Sequence, residues 1–316
     1  MKKNCSVITG VSGFVGKWLS DLLILQNHRV IGLDRWPEFK YRNIEYHQCD
    51  ILDTSSVSSI FTEVKADRIF HLAAISYLPE ADLSPRHAME VNIMGTISIL
   101  DAVRQSRPDA RVLLIGSSKE YNDSPGIELV NEQLSPDPTN FYGISKYAGE
   151  LLGRQYALQF GMHVCAARSF NHTGPGQSAR FVCSDWAKQI VEIETGISSE
   201  NRIKVGNLDA EIDFSDVRDV VQAYYDIIEK GKPSQVYNVC SNRGISLQHI
   251  LEYLISKSSR KIDIYKEDKK LRAHKTSAKL IGDNSKLKKE TGWECRIPFE
   301  KTLDDLYEYW KTELQK

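Results

Sequence analysis

A tyrosine and a lysine four residues apart carry the clearest chemistry in this sequence: Tyr142 and Lys146 in FYGISKYAGELLGRQYALQF, on a helix predicted to begin near Thr139. That spacing puts both on one helix face. A phenol, with an ordinary pKa of about 10, exchanges protons poorly at neutral pH. A neighbouring ammonium and the helix N-terminus both favour its phenolate, so Tyr142 is equipped to give a proton to a carbonyl oxygen or to take one from a hydroxyl. Ser117 and Ser118, in GSSKEY, follow the fifth predicted strand. At the carboxyl edge of an open parallel sheet, where such proteins bind ligands, a serine hydroxyl polarises the oxygen that Tyr142 addresses. The competing role for a serine there is to cap the turn, which the sequence gives to Ser118 rather than Ser117.

A second group points to a dinucleotide. In SVITGVSGFVGKWLS a short apolar run breaks into Gly10, Gly13 and Gly16, and apolar residues resume at helical spacing from Phe14 and Val15. Glycines let the backbone approach a pyrophosphate, and a helix N-terminus favours its charge. Asp34 closes the second predicted strand, placed to accept hydrogen bonds from an adenosine ribose. Asp50 and Ile51 follow the third strand, where they line the adenine, and Leu72, Ala73 and Ala74 end the fourth with small residues close to the cofactor's path. Asp34 repels the extra phosphate of NADP and favours NAD. Arg35, next in the chain, suits a 2′-phosphate, so NAD is the first expectation and NADP the second.

These groups need a frame to hold them. Candidate strands SVITG, HRVIGLD, IEYHQCD, RIFHLAA, ARVLLIGS, MHVCAARSF and later QVYNVCS alternate with amphipathic stretches at 57–64 and 88–104. Short apolar strands alternating with helices predict an α/β fold, a Rossmann-type doubly wound parallel sheet covered on both faces. From Asn171 the chain turns to Gly- and Pro-rich loops, one helix around 184–194 and a short strand around IKVGN. We expect residues 1–170 to form the dinucleotide-binding domain, its sheet completed by about 213–242, and residues 171–316 to form mainly a smaller mixed α/β substrate lobe.

Composition narrows the function. Among 316 residues, 41 basic and 42 acidic side chains leave a net charge of -1, which speaks against nucleic-acid or membrane partners. No apolar run approaches the ~20 residues of a membrane span, and MKKNCSVITG enters the first strand without a signal-peptide pattern, so a cytoplasmic protein is expected. The six cysteines form no CxxC pair and read as reduced thiols. The eight histidines show neither HxH nor HExxH spacing, so no metal site is expected.

Taken in order, the glycine turn, Asp34, HLAA, VNIMGT, the serine before Tyr121 and YxxxK resemble the extended short-chain dehydrogenase/reductase superfamily, whose members act on nucleotide sugars. RSFNHTGPGQSARFVCSDWAKQIVEIE and VGNLDAEIDFSDVRDVVQAY resemble the branch of GDP-mannose 4,6-dehydratase and GDP-4-keto-6-deoxy-mannose reductase; LIGDNSKLKKETGW and TLDDLYEYW fit it too. The resemblance covers nearly the whole chain. It implies Ser117, Tyr142 and Lys146 as catalytic groups, with Tyr142 and Lys146 also meeting the nicotinamide ribose, and adds Asn92 to the cofactor contacts. For the substrate it implies Ser118, Lys119, Asn171, His172, Gln177, Phe181 and Lys188, with Arg272 on the diphosphate. It also implies a homodimer through the helices at 88–104 and 141–160.

Departures from that branch refine the reaction. Its dehydratases carry a glutamate two residues before the tyrosine that aligns with Tyr121, whereas this chain has Lys119 there and Glu120 one residue later. Ile212 stands where the branch has an arginine before Asp-Phe, and Ala273 follows Arg272 in place of proline. The expectation is an NAD(P)-dependent oxidoreductase acting at C4 of a GDP-activated sugar, most like reduction of a GDP-4-keto-6-deoxy-hexose. The alternatives are an NAD-dependent C4 dehydrogenase or epimerase of a GDP-hexose or GDP-heptose, and a non-catalytic nucleotide-binding regulator.

Overall fold

A computed structural model describes residues 4–39, 41, 44–122, 129–267 and 279–316. The chain runs β1 (Cys5–Thr9), α1 (Phe14–Leu25), β2 (Arg29–Asp34), β3 (Glu45–Gln48), α2 (Thr54–Val64), β4 (Arg68–His71), α3 (Leu78–Leu83), α4 (Pro85–Met89), a π-helical turn Glu90–Met94, α5 (Gly95–Ser106) and β5 (Arg111–Ser117). After the 3-10 turn Ser118–Glu120 come β6 (Leu129–Val130), α6 (Phe141–Phe160), β7 (His163–Ser169), β8 (Asn171–Thr173), α7 (Val182–Thr195), β9 (Arg202–Val205) and β10 (Glu211–Asp216). The remainder is α8 (Val217–Lys230), β11 (Val236–Val239), β12 (Gly244–Ser246), α9 (Leu247–Ile255), β13 (Asp263–Lys266), β14 (Ile281–Gly282), α10 (Ser285–Thr291) and α11 (Phe299–Glu313).

Seven strands form one sheet in the order β11-β7-β5-β4-β1-β2-β3, every pair parallel. The doubly wound α/β architecture read from the sequence is therefore present. Successive strand residues face opposite sides. Val7, Ile69, Val112 and Leu114 pack with Phe61, Ile99 and Ala157 on the α2, α5 and α6 side. Ile8, Phe70, Leu113 and Ala167 pack with Leu19, Val220 and Tyr224 on the α1 and α8 side. Both faces are dry, which is why these strands read as apolar runs rather than as alternating patterns.

The order runs outward from β1 in two directions, to β2 and to β4, so the carboxyl ends of β1 and β4 flank a topological switch point. Ligands of open α/β sheets bind at such a crevice. Away from this sheet, β8, β10 and β12 form a second one, and Trp186, Ile190, Leu251 and Leu306 build a separate core among α7, α9 and α11.

Two elements differ from the sequence expectation. The helix expected from Thr139 begins at Phe141 because Asn140 caps it, its Oδ1 accepting from Gly143 N at 2.8 Å. The helix expected over 88–104 is interrupted at Glu90–Met94, where Asn92 reaches out of the turn to neighbouring segments. A π-turn of this kind re-aims side chains within a helix.

Candidate active site

The end of β5 and the start of α6 build the reacting corner. A Cβ added to Gly143 would stand 2.1 Å from the Lys119 carbonyl oxygen, so only glycine lets the first turn of α6 press against the turn after β5. That contact brings the Tyr142 phenol beside the Ser117 side chain, which favours its ionised form. One helical turn on, Lys146 Nζ lies 6.0 Å from the Tyr142 ring centroid and donates to Ile115 O at 2.8 Å. Burial pushes the Tyr142 phenol up to about 12, with the Ser117 side chain opposing. Burial also lowers Lys146 to about 8, with Glu120 opposing. The sequence argument expected the ammonium to depress the phenol; here the ammonium is turned to a strand carbonyl and desolvation dominates both groups. Tyr142 thus rests as a protonated phenol.

The serine that caps the turn is Ser117, not Ser118. Ser117 Oγ accepts from Lys119 N at 3.1 Å, and Glu120 Oε1 accepts from Ser117 N at 2.7 Å, a reciprocal capping box. Ser118 is buried beside it.

Across the switch point, the three glycines have different tasks. Gly10 has φ +71°, and a Cβ there would meet Ala73 N at 2.8 Å; a Cβ on Gly16 would meet Val11 O at 2.5 Å. Both are required by the protein's own packing. Gly13 is the N-cap of α1 with no side-chain cap, so the first-turn amides, at Phe14 and Val15, are presented to whatever lies above the turn. A Cβ on Gly13 would approach only Gly10 O. This is a cradle that fits a pyrophosphate. Asp34 lies beside it: Oδ2 accepts from Ser12 N at 3.2 Å and from Ser12 Oγ, and Oδ1 accepts from Arg35 N at 2.8 Å. The Arg35 guanidinium lies 4.9 Å from the Trp36 ring centroid.

The remaining cofactor-side residues line or brace this crevice. Asp50 Oδ1 accepts from Leu52 N at 3.0 Å, and Ile51 packs into the space left by Gly95. Leu72 N donates to Thr9 O at 3.2 Å and Ala73 N to Thr9 Oγ1 at 3.2 Å, while Ala74 continues the same loop. Asn92 Oδ1 accepts from Ile75 N at 2.8 Å, and its Nδ2 donates to Ile75 O and to Ser145 Oγ. Its amide thus ties the loop after β4 to the helix that bears Tyr142.

The loop beginning at Asn171 folds over α1. Asn171 is exposed at the start of β8. His172 stacks on Phe14 at 6.3 Å between centroids, and its Nδ1–H donates to Phe170 O, which brings it to the glycine turn. Trp18 Nε1 donates to Pro175 O at 3.0 Å. Gln177 is buried and spends its amide inside the loop, donating to His172 O at 2.9 Å and accepting from Thr173 Oγ1 at 2.6 Å. Phe181 meets Tyr77 edge-on at 5.8 Å, so the loops after β4 and β8 touch across the cleft. Lys188, further along α7, pairs with Glu192 at 3.5 Å and lies over Trp310. Arg272 lies outside the described residues.

Three participants carry no sequence signal of their own. Ser12, between two glycines of the turn, anchors Asp34. His71, buried, bridges Thr9 Oγ1 at 2.8 Å and Thr96 Oγ1 at 3.1 Å and is held neutral by burial, its pKa lowered to about 3. Glu120 faces inward to Arg168. Among the described residues no cluster of three or more metal-ligating side chains occurs, and no helix is long and apolar enough to cross a membrane.

A seven-stranded doubly wound sheet, a glycine turn at its switch point and a Ser-Tyr-Lys corner beside it define the class of extended short-chain dehydrogenases/reductases. The sequence profile of GDP-mannose 4,6 dehydratase matches residues 7–306, and the chain belongs to that family. It is similar to GDP-6-deoxy-D-mannose reductase of Pseudomonas aeruginosa, 32% identical over 98% of this chain and 98% of the relative. GDP-6-deoxy-D-talose 4-dehydrogenase of Aggregatibacter actinomycetemcomitans is 28% identical over 95% and 96%. The solved structure of RMD from Pseudomonas aeruginosa complexed with NADPH aligns with a TM-score of 0.86 at 30% identity, covering 98% of this chain and 100% of that one.

Proposed function

We propose that this protein is an NAD(P)-dependent oxidoreductase acting at C4 of a GDP-activated sugar, and that it reduces a GDP-4-keto-6-deoxy-hexose. The observation that carries the choice of reduction over dehydration is the direction of Glu120. A dehydratase of this family needs a carboxylate from the segment after β5 to take the C5 proton. Here that segment's carboxyl is fully buried against Arg168, and Lys119 occupies the dehydratase position.

Gly13, Phe14 and Val15 would hold the pyrophosphate of a dinucleotide and Asp34 its ribose, and the bound cofactor would supply a hydride to C4. The chain's own residues do the rest. Tyr142, a phenol at rest, hands its proton to the C4 oxygen as that oxygen gains charge, and Ser117 donates to the same oxygen. Lys146, with a pKa of about 8, is an ammonium at neutral pH and favours the phenolate left behind. Asn171, His172 and Phe181 form the wall of the sugar-nucleotide pocket, in the lobe that follows residue 170. The names of the reductase and 4-dehydrogenase relatives support C4 as the reacting carbon. The 4-dehydrogenase also supports a second reading, the same site run in the oxidative direction.

Asp34 supports NAD as the preferred cofactor, since its carboxylate faces the position of a 2′-phosphate, and NADP remains the alternative carried by Arg35. The assembly is proposed as a homodimer. On α6, Ile144, Leu151 and Leu158 form an exposed apolar stripe at helical spacing, and Ile93, Ala148, Leu152, Gln155 and Leu158 line a groove beside it. Helices that leave such a stripe in water are stabilised by a partner.

Purified protein mixed with reduced cofactor and GDP-4-keto-6-deoxy-mannose tests this reading. Stoichiometric cofactor oxidation with one GDP-6-deoxy-hexose product is expected; no oxidation in that mixture, with GDP-hexose-dependent reduction of NAD instead, would replace it by the oxidative reading.

A further inference from the structure

The carboxyl next to the dehydratase position has another placement. Glu120 is fully buried, folded back beneath the end of β5, with Oε1 accepting from the Ser117 amide at 2.7 Å. Gly116 makes the room: a Cβ there would lie 2.3 Å from Glu120 Oε1. In register beside Gly116 on β7 stands Arg168. Its Nε and Nη2 fork onto the Glu150 carboxylate at 2.9 and 2.6 Å, and its Nη1 donates to Tyr121 Oη at 2.8 Å.

Glu120 is thus the second acid on a guanidinium already engaged. Its Oε2 is buried and accepts no hydrogen bond among the described residues, its nearest cation being Arg168 Nε at 3.3 Å, a group donated to Glu150. The Glu120 and Glu150 carboxyls therefore converge on one Nε–H, at 3.3 and 2.9 Å. Two ionised carboxylates only accept and would share a single buried guanidinium, so a proton on the Glu120 side relieves the pair. The surroundings agree: Glu150, Tyr142 and Lys146 come from α6, Arg168 from β7 and Tyr121 from the adjoining turn. Burial first, and then the Glu150 charge, raise Glu120 well above the ordinary carboxylate range. A water-sized cavity of about 20 Å³ is lined by both Lys146 and Glu150.

We propose that Glu120 is a positioning residue for Ser117, and that it acts as a neutral acid whose proton is shared with Glu150. It fixes the Ser117 backbone, and through the capping turn the hydroxyl that meets Tyr142. The proton keeps a second negative charge out of the wall behind the reacting corner, and with it the charge that would otherwise raise Lys146, whose burial then lowers it unopposed. This rests on Ser117, Tyr142 and Lys146 being the catalytic groups.

Three variants of the full-length protein test it. Glu120→Ala is expected to lower kcat roughly 10- to 100-fold with KM changed less than about threefold, as for a small misplacement of a reacting group. Glu120→Gln, which keeps the acceptor and donates to Glu150 in place of the proton, is expected to restore most of that loss. Glu120→Asp, too short to reach the Ser117 amide, is expected to stay low. In infrared difference spectra at neutral pH, a protonated-carboxyl C=O stretch present in the wild type is expected to vanish in Glu120→Gln. Wild-type kcat in Glu120→Ala would overturn the positioning role. Rescue by Asp and not by Gln, or absence of the infrared band, would overturn the neutral acid. If Glu120→Ala does not fold, the Gln and Asp comparison decides. The infrared band needs no substrate, so it decides the protonation even if the reductase reading fails.

Discussion

Among single residues, the chemistry depends on where protons sit. Tyr142, held up at about 12, keeps its proton throughout the neutral range, and Lys146, at about 8, loses its own just above it. Reduction uses both protonated forms. Its kcat/KM is therefore expected to be flat at low pH and to fall as pH rises through the Lys146 pKa, which a neutral Glu120 leaves at or below about 8, while the reverse oxidation, which must take up a proton on Tyr142, gains with pH. A pH–rate profile in both directions checks the sign. Tyr142→Phe removes the proton donor and is expected to cost roughly 10²- to 10⁴-fold in kcat, with dinucleotide affinity changed only a few-fold by titration. At the other end of the cofactor crevice, Asp34→Ala removes the carboxylate that we propose faces the 2′ position. It is expected to shift the kcat/KM ratio toward NADPH by about tenfold, close to 1.4 kcal/mol; an unchanged ratio would show that Asp34 serves only to anchor Ser12.

At the scale of elements, the reacting corner depends on one close approach. Gly143 lets α6 touch the turn after β5, and a methyl group there has 2.1 Å to the Lys119 carbonyl oxygen, a backbone atom that cannot swing aside. Gly143→Ala is expected to destabilise the fold by about 1–3 kcal/mol and to separate Tyr142 from Ser117, seen as a lowered Tm together with a lowered kcat. Elements are also where the sequence was most and least legible. Strands buried on both faces announce themselves as apolar runs, so the parallel sheet could be read from Val7-Ile8, Ile69-Phe70 and Val112-Leu113. The interruption at Glu90–Met94 could not, because the apolar spacing of 88–104 continues through it. Nor could the inward turn of Glu120: three residues of 3-10 turn have no period from which a buried face can be inferred. Ser117 and Tyr142 stand out by type and spacing, whereas their being brought together depends on Gly143, whose role is visible only once the two segments are in contact.

For the whole molecule, the sheet supplies a rigid floor, the loops after β4 and β8 meet above it through Tyr77 and Phe181, and the loop after β8 is tied to α1 through Trp18 and the Pro175 carbonyl. The apolar stripe on α6 lies on the same helix as Tyr142 and Lys146, so a dimer formed there would brace the helix that carries the chemistry. Leu158, 64% exposed, is the simplest probe. Light scattering is expected to give a dimer for the wild type at micromolar concentration and a monomer for Leu158→Asp; a wild-type monomer would contradict the assembly. The central claim, that the molecule as a whole reduces C4 of a GDP-activated keto sugar, is tested most directly by following reduced nicotinamide absorbance with freshly generated GDP-4-keto-6-deoxy-mannose. Loss of one cofactor equivalent per sugar is expected, abolished in Tyr142→Phe. Persistence of the signal with folded wild-type protein and either reduced cofactor would contradict it.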